Sequence, residues 1–80
     1  MQQFIPAGVC ARQIDFLVEN GIVRSVDFKG GCPGNLIGIK HLVEGMSVQD
    51  AIQKLAGIRC GDKTTSCPDQ LAQALQHTLS

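Results

Sequence analysis

Apolar and polar side chains alternate along the first part of the chain, with the two-residue period of a half-buried strand. Between positions 10 and 19, three apolar residues fall on one face: Ile14, Phe16 and Val18. The dipeptide Asn20-Gly21 follows directly and is typical of a β-hairpin turn. The pattern therefore predicts a hairpin whose second strand ends near Phe28.

A two-residue loop made of Asn20-Gly21 is one candidate for this turn. It would pair Val18 with Val23. Continued without interruption, that pairing would place Ser25 and Asp27 on the apolar face. The polar side chains argue against this register.

A three-residue loop over residues 19–21 is the other candidate, with Gly21 in the left-handed conformation of a β-bulge. It pairs apolar residues along one face: Val18 with Ile22, Ile14 with Val26, and then Phe28 beyond them. We predict this register because it keeps polar side chains out of the core. It would also set Cys10 opposite Gly30, two residues before Cys32.

Further along the chain, the apolar spacing changes to that of amphipathic helices. Helices are predicted near residues 35–44, 47–56 and 68–79. The first has apolar residues at helical spacing: Leu36, Ile39, Leu42, Val43 and Met46. A hairpin followed by helices predicts an α+β fold in which a small antiparallel sheet packs on three helices.

Cap residues mark the predicted helix boundaries. Asn35 is a good N-cap for the first helix, and Gly45 fits the position just after its end. Ser47 and Asp50 have the spacing of a capping box for the second helix, which Gly57 stops. The loop that follows, residues 58–66, has no periodicity.

Eighty residues predict one domain over residues 1–80, with residues 1–8 as a tail or a short edge strand. A chain of this size buries only about 60 to 65% of the surface that it exposes when unfolded. With three Phe and no Trp or Tyr, its core depends on aliphatic side chains. A metal or a disulfide would help to stabilise such a small domain.

Basic and acidic residues balance, with seven of each and no run of either sign. This excludes a dedicated nucleic-acid or acidic-membrane surface. No stretch approaches the ~20 apolar residues of a membrane span, and the N-terminus has no signal-peptide pattern. We expect a soluble, cytoplasmic protein with neither nucleic acid nor membrane as partner.

The chain contains four cysteines: Cys10, Cys32, Cys60 and Cys67. In a reducing cytosol this density indicates metal binding more than disulfides. Two disulfides in an exported protein, or unconnected cysteines in the core, are the alternatives. Cys32 and Cys67 each precede a proline at a predicted helix start, where the helix dipole favours a thiolate.

Two motifs surround these last cysteines, Gly30-Gly31-Cys32-Pro33-Gly34-Asn35 and Thr65-Ser66-Cys67-Pro68-Asp69. With both in place, the chain resembles the TSCPD family over nearly its whole length. Domains of that family also occur at the C-terminus of vitamin-B12-dependent ribonucleotide reductases, and short members often carry that activity as a label. The resemblance implies a metal-binding cysteine site, with a ribonucleotide reductase or another protein as partner.

The architecture is also similar to that of the U-type iron–sulfur scaffold proteins. Their three ligand cysteines match Cys10, Cys32 and Cys67. Two positions differ, because Arg12 stands where the scaffold proteins have an aspartate and Ser66 where they have a histidine. Cys60 is an additional thiol.

Four thiolates suit either Zn²⁺ or an iron–sulfur cluster. We favour zinc, because a fourth thiolate in place of an exchangeable carboxylate gives a closed site that retains its metal. His41 lies off the apolar stripe of its helix and is expected in solvent, whereas His77 fits the negative end of a helix dipole. Three arginines are expected at the surface, where they could bind phosphate or favour a thiolate: Arg12, Arg24 and Arg59.

No Ser/His/Asp set, Walker loop or dinucleotide fingerprint is present, so catalysis by this chain would have to use cysteine. A dithiol that passes electrons to a ribonucleotide reductase is one alternative function, although the Cys-x-x-Cys spacing of such enzymes is missing. An iron–sulfur scaffold or carrier is another. A structural docking module is the third.

Overall fold

The computed structural model describes residues 2–31 and 33–79. In this part of the chain, an antiparallel sheet of order β1-β2-β3 precedes three helices, which confirms the predicted α+β fold. The elements are β1 (Gln2–Phe4), β2 (Ala11–Glu19), β3 (Ile22–Gly30), α1 (Pro33–Val43), α2 (Val48–Leu55) and α3 (Cys67–Leu79). The sheet includes the N-terminal edge strand, because β1 pairs with β2.

The hairpin turn has two residues, so the prediction of a three-residue loop is wrong. Glu19 pairs with Ile22, and Val18 pairs with Val23. Asn20 and Gly21 both have positive φ, 54° and 75°. These values are typical of a type I′ turn, whose twist matches that of the flanking strands.

A β-bulge at Arg24 explains why the apolar pattern was misleading. Val18 pairs with Val23, but Leu17 pairs with Ser25, so Arg24 has no partner on β2. An extra residue in one strand shifts every later side chain to the other face. The bulge therefore lets the two-residue turn coexist with an apolar face.

Beyond the bulge, the apolar side chains of β2 and β3 again point toward the core. Val26 pairs with Phe16 rather than with Ile14, and Phe28 pairs with Ile14. Asp27 is exposed, as the hydrophobic pattern requires.

The open end of the hairpin also differs from the prediction. Gly30 pairs with Ala11 rather than with Cys10, and a second register shift lies between Ala11 and Gln13. Cys10 is thus the residue before β2.

The core lies between one face of the sheet and the helices. Its buried members come from both long strands and all three helices: Ile14, Phe16, Val23, Val26, Val43, Val48, Ala51, Ile52, Leu71, Ala74 and Leu75. Leu42, predicted in the apolar stripe of α1, is instead 77% exposed. None of the helices in the described residues is long and apolar enough to cross a membrane.

The helix boundaries follow their cap residues except at α1. That helix begins at Pro33, so Asn35 lies in its first turn and is not its N-cap. Gly45 and Gly57 have positive φ, 96° and 84°, just beyond the ends of α1 and α2. The Ser47 side chain accepts a hydrogen bond from the Asp50 N–H at 3.1 Å, which confirms the predicted cap.

At Val26, the outer edge of β3 is covered by two side chains, Lys40 of α1 and Glu44 directly after this helix. Lys40 Nζ donates to the Val26 carbonyl at 2.8 Å, and the Val26 N–H donates to Glu44 Oε2 at 3.0 Å. The two side chains also form an ion pair at 2.6 Å. This arrangement fixes α1 against the sheet and blocks pairing of the edge at Val26.

Replacing Glu44 should loosen this contact. The hydrogen bond from Lys40, followed by that from the Val26 N–H, lowers the pKa of Glu44. Glu44→Ala is expected to reduce the free energy of unfolding by about 1 to 2 kcal/mol at pH 7, measured by urea denaturation. Because its folded pKa is depressed, the contribution of Glu44 exists above the unfolded pKa and is lost as pH falls through the folded pKa.

Glu19→Ala serves as the control, since Glu19 is exposed at the end of β2. Equal stabilities of Glu44→Ala and Glu19→Ala at pH 7 would contradict the assigned role of Glu44.

Candidate metal centre

The start of α3 is fixed by Ser66, which is 4% exposed. Its hydroxyl accepts a hydrogen bond from the Asp69 N–H at 3.2 Å and donates to the Ile58 carbonyl at 2.7 Å. Ser66 therefore acts as the N-cap of α3 and ties it to the preceding loop. This places Cys67 at the first position of the helix, as predicted.

Asp69 is the buried acceptor that closes the loop before α3. Its side chain accepts from the Gly57 N–H at 2.7 Å, from the Thr65 hydroxyl and from Gln73 Nε2 at 3.1 Å. The hydrogen bond from Thr65 and then that from Gly57 lower the pKa of this carboxyl, against the opposing effect of burial. Asp69 therefore joins both ends of the loop of residues 58–66.

Sequence reasoning missed this role, since it singled out Asp69 only as the last residue of the motif around Cys67. The Ser-x-x-Asp spacing of Ser66 and Asp69, which matches a capping box, was the available signal.

The segment before Cys10 packs against the same motif. The Ala7 N–H donates to Gln70 Oε1 at 3.1 Å, and Gln70 Nε2 donates to the Thr65 hydroxyl at 2.9 Å. A Cβ added at Gly8 would lie 3.5 Å from Thr65 Cγ2, which is an ordinary van der Waals contact. The backbone at Gly8 therefore runs close to Thr65. The segment that leads to Cys10 is thus held beside the start of α3.

Cys60 is positioned by a short hydrogen-bonded turn. The Cys60 N–H donates to the Thr65 carbonyl at 3.2 Å, and the Lys63 N–H donates to the Cys60 carbonyl at 3.0 Å. Gly61, within the turn, has a φ of 58°. The loop therefore folds back and brings Cys60 toward Cys67.

One cavity of about 450 Å³ is lined by three of the predicted ligands, Cys10, Cys60 and Cys67. Cys10 and Cys60 are exposed and Cys67 is half-buried, and all three are free thiols. The other lining residues are Asn35, Leu36, Ile39, Ile58, Arg59, Ser66 and Pro68. Cys32, the fourth predicted ligand, lies outside the described residues.

The chain on either side of position 32 is close to this region. A Cβ on Gly31 would lie 2.8 Å from Leu36 Cδ1 and 3.3 Å from the Ala11 backbone nitrogen, and Gly31 has a φ of 83°. The positive φ favours glycine at this position, and a larger residue would also force the end of the Leu36 side chain to move. Leu36, in the first half of α1, reaches the cavity itself.

The donor chemistry of the cavity fits a metal that prefers sulfur. Its described lining contains cysteines but no histidine, aspartate or glutamate. Within residues 2–31 and 33–79, however, no three His, Cys, Asp or Glu side chains lie close enough together to hold a metal ion. The three thiols share a cavity without converging on one point, and the complete four-cysteine site stays a prediction.

The histidines do not belong to this cavity. His41 is exposed on α1, as expected. The ring of His77 lies 6.1 Å from that of Phe4, which connects the last helix to β1.

Comparison with known proteins gives a single assignment. No curated protein and no solved structure matches the chain significantly. The family model described as the TSCPD domain matches residues 2–79, which is nearly the whole chain. The chain therefore belongs to the TSCPD-domain family.

Proposed function

We propose that this domain is a small metal-binding module in which Cys10, Cys32, Cys60 and Cys67 together hold one Zn²⁺. The observation that supports it best is the shared cavity of three cysteines from three separate segments of the chain. Cytosolic cysteines in such an arrangement are typical of metal sites. The cytoplasm, with its reduced thiols, is the compartment that we propose for it.

Each cysteine would bind the metal as a thiolate. Cys67 is at the first position of α3, Cys60 is on the turn closed by Thr65, and Cys10 precedes β2. A shared metal would connect these segments, and four sulfur ligands would leave no open position for a substrate. The proposed role of the zinc is therefore structural.

An iron–sulfur cluster is the second candidate, and the separation of the thiols favours it. The three described thiols line one cavity without converging on one point, and a cluster spans more space than a single ion. Iron–sulfur clusters are likewise held by cysteine thiolates. In this alternative the domain would act as a cluster scaffold or carrier.

Family membership suggests the biological setting. The TSCPD family includes domains at the C-terminus of vitamin-B12-dependent ribonucleotide reductases. We therefore propose an accessory role in ribonucleotide reduction, and hence in DNA synthesis, with a reductase or another protein as partner. A cysteine redox partner of such a reductase is the competing proposal. It requires thiols that are free in the functional protein.

Metal content and cysteine substitution test the zinc proposal. Purified protein should contain one zinc per chain, and Cys67→Ser should bind zinc at least about 60-fold more weakly, which corresponds to about 2.5 kcal/mol. This estimate divides the ~10 kcal/mol or more of a structural zinc site among four ligands. Thr64→Ala, an exposed change in the same loop, is the control and should leave the zinc affinity unchanged. Iron with acid-labile sulfide would favour the cluster, whereas the absence of both metals would contradict the proposal.

Thiol titration separates the zinc module from the redox partner. In zinc-loaded protein, the four cysteines should react slowly with a thiol reagent until a strong chelator is added. Rapid reaction of two thiols before chelation would favour the redox proposal.

A further inference from the structure

The chain between β1 and β2, residues 5–10, passes the start of α3 without forming a helix or a strand. We call these residues the N-terminal strap. Both of its ends are fixed, because β1 and β2 pair with each other in the sheet. Its last residue, Cys10, lines the same cavity as Cys67. The strap is therefore part of the cavity wall.

Little apolar surface holds the strap in place. Four of its six residues are exposed: Ile5, Ala7, Gly8 and Cys10. None of the six belongs to the buried core. Segments with few buried apolar contacts open locally at a low cost in free energy.

One polar contact fastens the middle of the strap. The Ala7 N–H donates to Gln70 Oε1 at 3.1 Å, and among the described residues this is the one hydrogen bond that the strap makes. Gln70 is only 6% exposed, and its Nε2 donates to the Thr65 hydroxyl at 2.9 Å. This second bond orients the amide so that its oxygen faces the strap.

We propose that the N-terminal strap is a lid on the cysteine cavity and that Gln70 is its latch. In the closed state, Ala7 is bonded to Gln70, and the Cys67 thiol is half-buried. Opening breaks this one bond, takes Cys10 out of the cavity wall and exposes the Cys67 thiol. The lid controls access to Cys67 whether or not a metal is bound, so this inference does not rest on the proposed zinc.

The two states differ by a small free energy because water replaces the protein partner on opening. Once the strap moves away, water can bond to the Ala7 N–H and to Gln70 Oε1. The net contribution of such an exchanged hydrogen bond is small. A minor open population is therefore expected in the native protein.

Alkylation of Cys67 by iodoacetamide tests the lid, because each of the four cysteines lies in a different tryptic peptide and can be quantified separately by mass spectrometry. In native protein as purified, Gln70→Leu should raise the alkylation rate of Cys67 about tenfold. This factor corresponds to about 1.4 kcal/mol, within the range of one hydrogen bond. Gln73→Leu is the matched control, since Gln73 bonds to Asp69 rather than to the strap.

A second variant removes the same bond from its other side. Ala7→Pro deletes the donor N–H without changing α3. It should raise the Cys67 rate by the same factor as Gln70→Leu. The double variant should react no faster than either single variant, because both changes break one bond. Far-UV circular dichroism should be the same for all variants.

The outcomes for the lid are separate from those for the metal site. Equal Cys67 rates in the wild type, Gln70→Leu and Ala7→Pro would overturn the lid. An equal rise for Gln73→Leu, or additive effects in the double variant, would also overturn it, because the cause would then be a general loosening of α3. A purified protein without zinc would contradict the proposed function and leave the expected rate ratios unchanged.

Discussion

If the domain holds the proposed zinc, removing it with a strong chelator is expected to lower the thermal midpoint by at least about 20 °C. The domain has a small core without Trp or Tyr, which should supply only a few kcal/mol of stability. A structural zinc site contributes ~10 kcal/mol or more as apparent binding free energy. In a domain of this size, about 1 kcal/mol shifts the midpoint by about 4 to 8 °C.

The measurement is thermal unfolding followed by circular dichroism, with and without chelator. Readdition of zinc to the chelated sample is the control and should restore the original midpoint. Coincident unfolding curves for metal-loaded and metal-free protein would show that the metal does not stabilise the fold.

Asp69→Ala is expected to cost at least about 2 kcal/mol of unfolding free energy, with or without the proposed metal. The substitution leaves the Gly57 N–H and the Thr65 hydroxyl without their acceptor. Hydrogen bonds to a charged group contribute about 1.5 to 3 kcal/mol each, and both of these bonds are part-buried. Urea denaturation at pH 7 measures the loss.

Asp62→Ala provides the matched control, because Asp62 is exposed in the same loop. Stability should also depend on pH through Asp69. Its folded pKa is lowered from 3.8, so its contribution is complete above about pH 5 and declines as pH falls through the folded pKa. The wild type and Asp69→Ala should therefore converge in stability in acid, and a constant difference from pH 7 to pH 3 would contradict the role of the carboxylate.

The sequence pattern was sufficient to predict the element order and most helix boundaries, but not the strand register. Helix caps are local signals, and Ser47 and Gly45 act where the sequence places them. Strand register instead depends on bulges, which the alternation of side chains does not reveal. Arg24 and Arg12 each stand at a register shift, and an uninterrupted ladder could not accommodate both the Asn20-Gly21 turn and the apolar face.

The candidate site shows the same division between local and long-range information. The motif around Cys67 predicted the start of α3 correctly, because Ser66 caps the helix through its immediate neighbours. The shared cavity depends on contacts between distant segments, such as the hydrogen bond from Ala7 to Gln70 across 63 positions. No local pattern in the sequence contains that contact.

X-ray absorption spectroscopy at the zinc edge of the purified protein tests the central proposal most directly, since it counts the atoms bound to the metal. Four sulfur neighbours at about 2.3 Å are the expected result, because Cys10, Cys32, Cys60 and Cys67 are the proposed ligands. A shell with nitrogen or oxygen neighbours at about 2.0 to 2.2 Å would contradict the closed four-cysteine site.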